Sequence, residues 1–299
     1  MSGAFESTST WRAWLSLGRV SNLATCLTNV LVGVAVCLRD PASLGTWPWV
    51  DTIVCVAGVV ALYLGGMVMN DVVDVRWDRE HDNARPIATG AVSLRAARAV
   101  AFLLMLAGFL MLALHGTAAL ISASCLVGAI AAYNLFHKRH PAVTLLMGVC
   151  RGLVIVTVAC VIGGDWPLFH GWVLAAAMTC YIVILTLAAR REHMQRVTFH
   201  RALIVALSVL PVLPAFILAA AWPWITAGAS VAFIIWTLHS AQQIHRQPPN
   251  VRGAIHGWLA GICLIDAWSL LLLGGWSMSL VALACFAVTL AAHRIVSGT

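Results

Sequence analysis

The chain has 299 residues, of which 61% are apolar and only 10% are charged, against about 25% charged in an ordinary soluble domain. A soluble protein of this composition would carry more apolar surface than it could bury. Composition therefore excludes a soluble enzyme, a disordered chain and a disulfide-rich scaffold. A membrane protein with several spans remains, since each span needs roughly 20 residues.

Ten apolar runs follow one another along the chain, and none shows the alternation typical of strands. They lie near 20–38, 50–70, 98–114, 117–136, 142–162, 171–189, 202–221, 224–240, 254–273 and 277–293. The last two are the least distinct as separate spans. We therefore predict an all-α bundle of nine or ten transmembrane helices that forms one domain over residues 1–299.

The basic residues predict how this bundle lies in the membrane. Of the 18 Lys and Arg, 16 fall on one side of the predicted bundle, Arg39 falls on the other side, and Arg151 lies within a span. The positive-inside rule makes the basic side cytoplasmic, with both termini there if ten spans are present. We expect residues 1–19 to lie along the inner interface of the cell membrane, and the net charge of +7 requires no nucleic acid to explain it.

An acidic segment follows the second run. Five of the eleven acidic residues fall between positions 71 and 82. If the helix continues into this segment, as we expect, about 100° per residue places Glu80 on one face and an amide with four carboxylates on the other. The residues of that second face are Asn70, Asp71, Asp74, Asp78 and Asp82.

Carboxylates that converge at a helix end repel one another unless a cation lies among them. Mg²⁺ prefers oxygen ligands, commonly one or two carboxylates together with substrate phosphate. Arg85 and its basic neighbours would suit a phosphate. The segment therefore predicts a magnesium site with ligands from Asn70, Asp71, Asp74 and Asp78, whereas the plain alternative is a solvated loop with local salt bridges.

The same segment resembles the first aspartate motif of the UbiA superfamily of intramembrane prenyltransferases. That motif reads N-D-x-x-D-x-x-x-D followed by Arg-Pro, as found here from Asn70 to Asp78 and at Arg85-Pro86. Weaker agreements occur in order along the chain, and the run at 147–152 resembles the EboC-like branch in particular. The other agreements are Arg19, Asn22, and Tyr133 with Lys138-Arg139.

The resemblance implies a bundle of about nine helices around a central cavity open to lipid. It implies an enzyme that uses Mg²⁺ to ionise an isoprenyl diphosphate and transfers the prenyl group to an acceptor, with Asp71, Asp74 and Asp78 as catalytic residues. The diphosphate-binding residues would be Arg85, Lys138, Arg139, Arg190 and Arg191. The cavity would present Asn22, Tyr133, Arg151 and Glu192 to the substrates.

The chain departs from the family at the second aspartate motif. At the corresponding position, 190–201, Glu192 is the only acidic residue among several arginines. This leaves the number of magnesium ions open. It also leaves three functions open: a prenyltransferase, which we favour, a terpene cyclase of the same superfamily with Trp236, Trp258 and Trp268 against the cation, and a non-catalytic carrier of a lipid precursor.

Arg151 and Asp266 are charged residues within apolar runs. A charge at that depth is costly and usually faces a cavity or a partner. We expect Arg151 to bind a carboxylate or phosphate of a substrate or, alternatively, to pair with Asp266 or with backbone carbonyls. For Asp266 we expect polar packing.

Overall fold

The computed structural model describes residues 10–39, 47–81, 85–137, 141–190, 201–218, 220, 222–246 and 249–295. Within these ranges all regular structure is helical, as predicted. The helices are α1 (Thr10–Leu17), α2 (Leu23–Leu38), α3 (Trp49–His81), α4 (Leu94–Ala113), α5 (Thr117–Phe136), α6 (Thr144–Gly163), α7 (Phe169–Arg190), α8 (Arg201–Val209), α9 (Pro214–Ile217), α10 (Pro223–Gln242), α11 (Val251–Leu272) and α12 (Trp276–Ile295).

Nine helical segments of the described chain are long and apolar enough to cross a membrane. They include α11 and α12, so the last two runs form two separate helices. The seventh run, 202–221, is interrupted. A turn of 3₁₀-helix at Leu210–Val212 separates α8 from α9, because prolines at 211 and 214 remove backbone donors from the helix.

The two ends of the helical chain meet at one end of the bundle. Nε2 of His293, near the end of α12, lies 2.9 Å from Oδ1 of Asn22, just before α2 begins. The path from α2 to α12 therefore crosses the bundle an even number of times. Nine long helices together with the α8–α9 segment account for ten crossings.

Helix α11 lies at the centre of one half of the bundle, where it packs against α2, α7, α10 and α12. Several polar groups of its side chains and backbone form hydrogen bonds with neighbouring helices. The hydroxyl of Tyr181 donates to the carbonyl of Trp258 over 2.6 Å, and the indole of Trp268 donates to Ser230 over 2.7 Å. This half of the bundle is tightly packed.

The other half is built from α3 to α7, and close contacts there depend on small residues. A Cβ at Gly108 of α4 would lie 2.7 Å from the carbonyl oxygen of Gly58 in α3, so only glycine permits this approach. Helix α3 itself has 33 residues and continues through His81. The expected continuation of the helix into the acidic segment is confirmed: residues 71–81 are helical and extend α3 beyond the apolar run.

Candidate active site

The acidic residues of α3 divide between two faces as the helical periodicity predicted. Asp71 and Asp78 are 3% and 6% exposed, and Asp74 is half-buried. On the opposite face, Trp77 and Glu80 are exposed. The acidic face therefore packs against the rest of the protein and is not a solvated charged surface.

Asp71 lies between two arginines. Nη1 of Arg85 donates to its carboxylate over 3.3 Å, and Nη2 of Arg19 lies 4.0 Å from the same oxygen. Arg19 has the left-handed backbone conformation, with φ of 44°, at the start of the 3₁₀ turn Val20–Asn22. That conformation is uncommon outside glycine and marks a position fixed by its surroundings. The hydroxyl of Tyr63, on α3, donates to the carbonyl of Arg19 over 3.2 Å.

Helix α5 supplies partners for the two other polar residues of this face. Nε2 of His137 lies 3.2 Å from Oδ2 of Asp74, and its ring stacks on Tyr133 at 5.2 Å between centroids. The amide of Asn70 donates to Oδ1 of Asn134 over 3.2 Å. We call the residues Arg19, Asn70, Asp71, Asp74, Asp78, Arg85 and His137 the acidic site.

The acidic site differs in one respect from a convergent metal cluster. Within the described ranges, no three His, Cys, Asp or Glu side chains lie close enough together to hold a metal ion. Asp71 is turned towards arginines. Asp74 and Asp78, one turn apart on α3, are oxygen donors that fit a Mg²⁺ whose other ligands come from a diphosphate and water.

Several predicted residues lie outside the described part of the chain. These are Asp82, Lys138, Arg139, Arg191 and Glu192, together with the side chain of Arg190, whose backbone ends α7. Their roles at the diphosphate remain predictions.

A cavity of about 120 Å³ lies beside the acidic site, between α2, α3, α5 and α6. Most of its wall is apolar, with Val59, Leu62, Leu126 and Val154 among the lining residues. The polar groups on the wall are Tyr63, Tyr133, Asn134 and Arg151. Two of the predicted cavity residues, Tyr133 and Arg151, therefore line it. Asn22 instead contacts His293 near the helix ends.

Arg151 is held by α2 on the cavity wall. Its Nη1 donates to Oδ1 of Asn29 over 2.9 Å and to the carbonyl of Thr25 over 3.3 Å, and its Nη2 donates to the hydroxyl of Thr25 over 2.9 Å. The guanidinium carbon lies 5.7 Å from the ring centroid of Tyr63. A cation over a tyrosine face is attracted by the ring quadrupole.

Asp266 of α11 extends this hydrogen-bond network on the side of Asn29 away from Arg151. The amide of Asn29 donates to its Oδ2 over 2.8 Å, and the hydroxyl of Thr28 donates to the same oxygen. Arg151 and Asp266 are thus linked through Asn29, which corrects the alternative of a direct pair. We call Thr25, Asn29, Arg151 and Asp266 the arginine site.

Sequence reasoning missed Asn134 and His137 of the acidic site and Asn29 of the arginine site. Tyr133 was singled out only by resemblance, and His137 lies on the same face one helical turn later. The four-residue spacing of Tyr133 and His137, at the end of an apolar run, could have indicated that both side chains face the same site. Nothing in the local sequence of α2 points to Asn29, because its partners are more than 100 residues away.

The family model for the UbiA prenyltransferase family matches residues 26–255, which is most of the chain. The chain belongs to this family. Its fold agrees with that of a UbiA homolog from Archaeoglobus fulgidus bound to GPP and Mg²⁺, with a TM-score of 0.55 at 12% identity over 94% of this chain and 99% of that one.

Two curated relatives are similar in sequence to this UbiA family member. Protoheme IX farnesyltransferase 1 from Pseudomonas fluorescens is 29% identical over 212 residues, which cover 68% of this chain and 65% of the relative. Digeranylgeranylglyceryl phosphate synthase from Metallosphaera sedula is 42% identical over 66 residues, or 22% of this chain and 23% of the relative. The chain thus spans just under two thirds of the first relative. The particular likeness to the EboC-like branch stays a prediction.

The three tryptophans considered for a terpene cyclase are engaged in helix packing. Trp258 donates to the carbonyl of Thr237 over 3.1 Å, Trp236 donates to that of Gly257 over 2.9 Å, and Trp268 is bonded to Ser230. None of the three is among the residues that line the described cavity. Their positions between α10 and α11 favour a structural role.

Proposed function

We propose that this protein transfers a prenyl group from an isoprenyl diphosphate to an acceptor, at the junction of the acidic site and the cavity. The observation that carries the proposal is the position of the acidic face of α3. Its carboxylates and arginines lie at the helix end, and a largely apolar cavity begins one to two turns away at Gly66 and Tyr63. In an isoprenyl diphosphate, the diphosphate suits the charged helix end and the hydrocarbon tail suits the apolar cavity.

The acidic site contains groups for each part of the diphosphate. Asp74 and Asp78 would hold Mg²⁺, which, when bound, neutralises charge on the leaving diphosphate. Asp71 orients Arg85 and Arg19, and guanidinium groups are suited to phosphate oxygens. His137 fixes the carboxylate of Asp74, and Asn134 fixes the amide of Asn70.

The reaction breaks the bond between C1 of the prenyl group and the diphosphate oxygen, which leaves with the electron pair. A new bond forms between C1 and a nucleophilic atom of the acceptor, which releases its proton to water. The apolar wall excludes water from the allylic cation. Tyr63 and Tyr133 line that wall, and an aromatic ring there would stabilise positive charge.

The test is incubation of the purified protein, in lipid nanodiscs, with geranyl, farnesyl or geranylgeranyl diphosphate and Mg²⁺. An acceptor panel is included, with protoheme among its members because of the relative from Pseudomonas fluorescens. We expect diphosphate release that requires both Mg²⁺ and an acceptor, EDTA to abolish it, and mass spectrometry to detect the prenylated acceptor.

Two results would contradict this function. A hydrocarbon product formed without any acceptor would indicate a terpene cyclase. Binding of a prenyl diphosphate with no release of diphosphate under any condition would indicate a carrier.

We further propose that the acidic site faces the cytoplasm. The described basic residues of this end include Arg19, Arg76, Arg79 and Arg85, and the positive-inside rule assigns them to that side. Single-cysteine variants at Glu80 and at Trp166, made in a chain whose own cysteines are replaced, test this. In sealed right-side-out vesicles, an impermeant maleimide should label only the second variant. The reverse pattern would invert the assignment.

A further inference from the structure

A buried histidine ties the last described helix to the 3₁₀ turn Val20–Asn22. His293 of α12 is 9% exposed and Asn22 is 7% exposed. Nε2 of His293 lies 2.9 Å from Oδ1 of Asn22, and the imidazole donates this hydrogen bond because an amide oxygen can only accept. Two residues 271 positions apart in the sequence thus hold α12 against the start of α2.

The imidazole of His293 makes this one hydrogen bond with the described residues. Its Nδ1 is buried and has no hydrogen-bond partner among them. The ring of His256, on α11, stacks on it with 4.5 Å between centroids and 27° between the ring planes. A buried polar atom without a partner is costly, and an apolar ring would pack on His256 without that cost. The polarity of His293 is therefore explained by its bond to Asn22.

The turn that ends at Asn22 begins at Arg19. The backbone N–H of Asn22 donates to the carbonyl of Arg19 over 3.0 Å, and Arg19 has the left-handed φ of 44°. A residue other than glycine keeps such a conformation only where the surrounding structure imposes it. The hydroxyl of Tyr63 donates to the same carbonyl over 3.2 Å, and the side chain of Asn22 faces that hydroxyl. Asn22 is therefore part of what imposes the conformation of Arg19.

The guanidinium of Arg19 depends on this backbone conformation more than that of Arg85 depends on its own. Nη2 of Arg19 lies 4.0 Å from Oδ1 of Asp71, whereas Nη1 of Arg85 lies 3.3 Å from the same oxygen. At 4.0 Å there is no hydrogen bond, so Asp71 does not by itself fix the direction of Arg19. The turn that carries Arg19 must contribute to its position.

The two histidines lie outside the part of the chain that matches the family model. That match ends at residue 255, and both His256 and His293 follow it. The contact with Asn22 is therefore a feature of this chain that the matched residues do not contain. It brings α12 to within one short turn of the acidic site.

We infer that His293 is a positioning residue for the prenyl donor. Its Nε2 holds Asn22, and through the turn Val20–Asn22 it keeps the guanidinium of Arg19 directed at the diphosphate. This rests on the proposed function, because it assigns Arg19 to the diphosphate of that donor. It gives α12 a part in substrate binding although none of its residues lines the described cavity.

The test compares a charged and an uncharged probe that share one hydrocarbon chain. Binding of geranyl diphosphate with Mg²⁺ and of geraniol is measured by equilibrium dialysis against the protein in nanodiscs, with empty nanodiscs as the control for partition into lipid. His293→Phe keeps a stacked ring but removes the donor. We expect it to weaken binding of geranyl diphosphate about fivefold or more and to leave binding of geraniol unchanged. A change that only loosened the bundle would weaken both.

Further variants assign that loss to the contact. His293→Gln places an amide N–H within reach of Asn22 and should restore most of the affinity. Asn22→Ala removes the same contact from the other side and should reproduce the loss. Thr289→Val is the matched control, because Thr289 is also buried on α12 but its hydroxyl donates within that helix, to the carbonyl of Cys285 over 2.8 Å. It should bind both probes as the unaltered protein does.

A double variant tests whether the effect passes through Arg19. Arg19→Met alone should weaken binding of geranyl diphosphate. Adding His293→Phe should weaken it no further, because the group that His293 positions is already absent.

Three outcomes would overturn the inference: unchanged affinity for geranyl diphosphate in His293→Phe, an equal loss of affinity for geraniol, or additive losses in the double variant. The proposed function fails differently, through the absence of Mg²⁺-dependent diphosphate release. The expected binding losses without such release would leave the role of His293 standing and remove the transferase. No binding of geranyl diphosphate to the unaltered protein would overturn both.

Discussion

The acidic site and the arginine site stabilise charge in opposite ways. In the acidic site, carboxylates at the end of α3 pair directly with basic groups: Asp71 with Arg85, and Asp74 with His137. In the arginine site, deep in the bundle, the two charged groups are linked only through a neutral amide. The ion pairs of the acidic site can exchange partners near water, whereas the arginine site holds the guanidinium of Arg151 in a fixed orientation.

The largest effect is expected where the acidic site would hold the metal and the diphosphate. Asp74→Ala should lower the rate of Mg²⁺-dependent diphosphate release by about 100-fold or more, since charge stabilisation of the leaving group is lost. Glu80→Gln is the matched control, because Glu80 lies on the exposed face of the same helix. Release is measured in nanodiscs, with the amount of folded protein checked by size-exclusion chromatography. Full activity of the alanine variant would remove Asp74 from the mechanism.

A smaller effect is expected from the arginine that pairs with Asp71. Arg85→Met should lower kcat/KM for the prenyl diphosphate by about tenfold, comparable to the loss of one charge-assisted hydrogen bond. It also leaves the buried Asp71 with Arg19 alone, at 4.0 Å, so the melting temperature should fall. The double variant Asp71→Asn/Arg85→Met should recover melting temperature but not activity. Recovery of both would make the pair purely structural.

The smallest effect on catalysis is expected from packing next to the arginine site. A Cβ at Gly152 would lie 2.7 Å from the carbonyl oxygen of Ala175 in α7, so Gly152→Ala should cost about 1–3 kcal/mol of stability. It should leave diphosphate binding at the acidic site unchanged. Gly128→Ala, where a Cβ meets nothing within 4 Å, is the control and should be neutral. Equal melting temperatures for both variants would contradict the close approach of α6 and α7.

The sequence was sufficient for those features that depend on composition and helical periodicity. Apolar runs predicted the spans, and the 100° spacing placed Asp71, Asp74 and Asp78 on one face of α3, as observed. The interruption after α8 likewise follows from local sequence, because Pro211 and Pro214 break the helix. These features are local, so one segment of sequence contains all the information that determines them.

The partners of those residues were not predictable, because they come from distant helices. His137 beside Asp74, Asn134 beside Asn70, and Asn29 between Arg151 and Asp266 each depend on how α2, α5 and α11 pack. The contacts between these distant helices cannot be derived from a single sequence. For the same reason, periodicity assigned Asp71 to the metal, although Arg85 and Arg19 turn its carboxylate towards themselves.

Helix α3 joins the acidic site to Tyr63 without a break. Because the helix is continuous, it fixes the distance between the carbon that would react and the part of the cavity beyond Tyr63. No break in α3 can lengthen that interval, so under the proposed function the side chains beyond Tyr63 would limit the length of the isoprenoid. They are Val59, Leu62, Leu126 and Val154. Enlarging one of these residues would shorten the accepted chain while leaving the reacting end undisturbed.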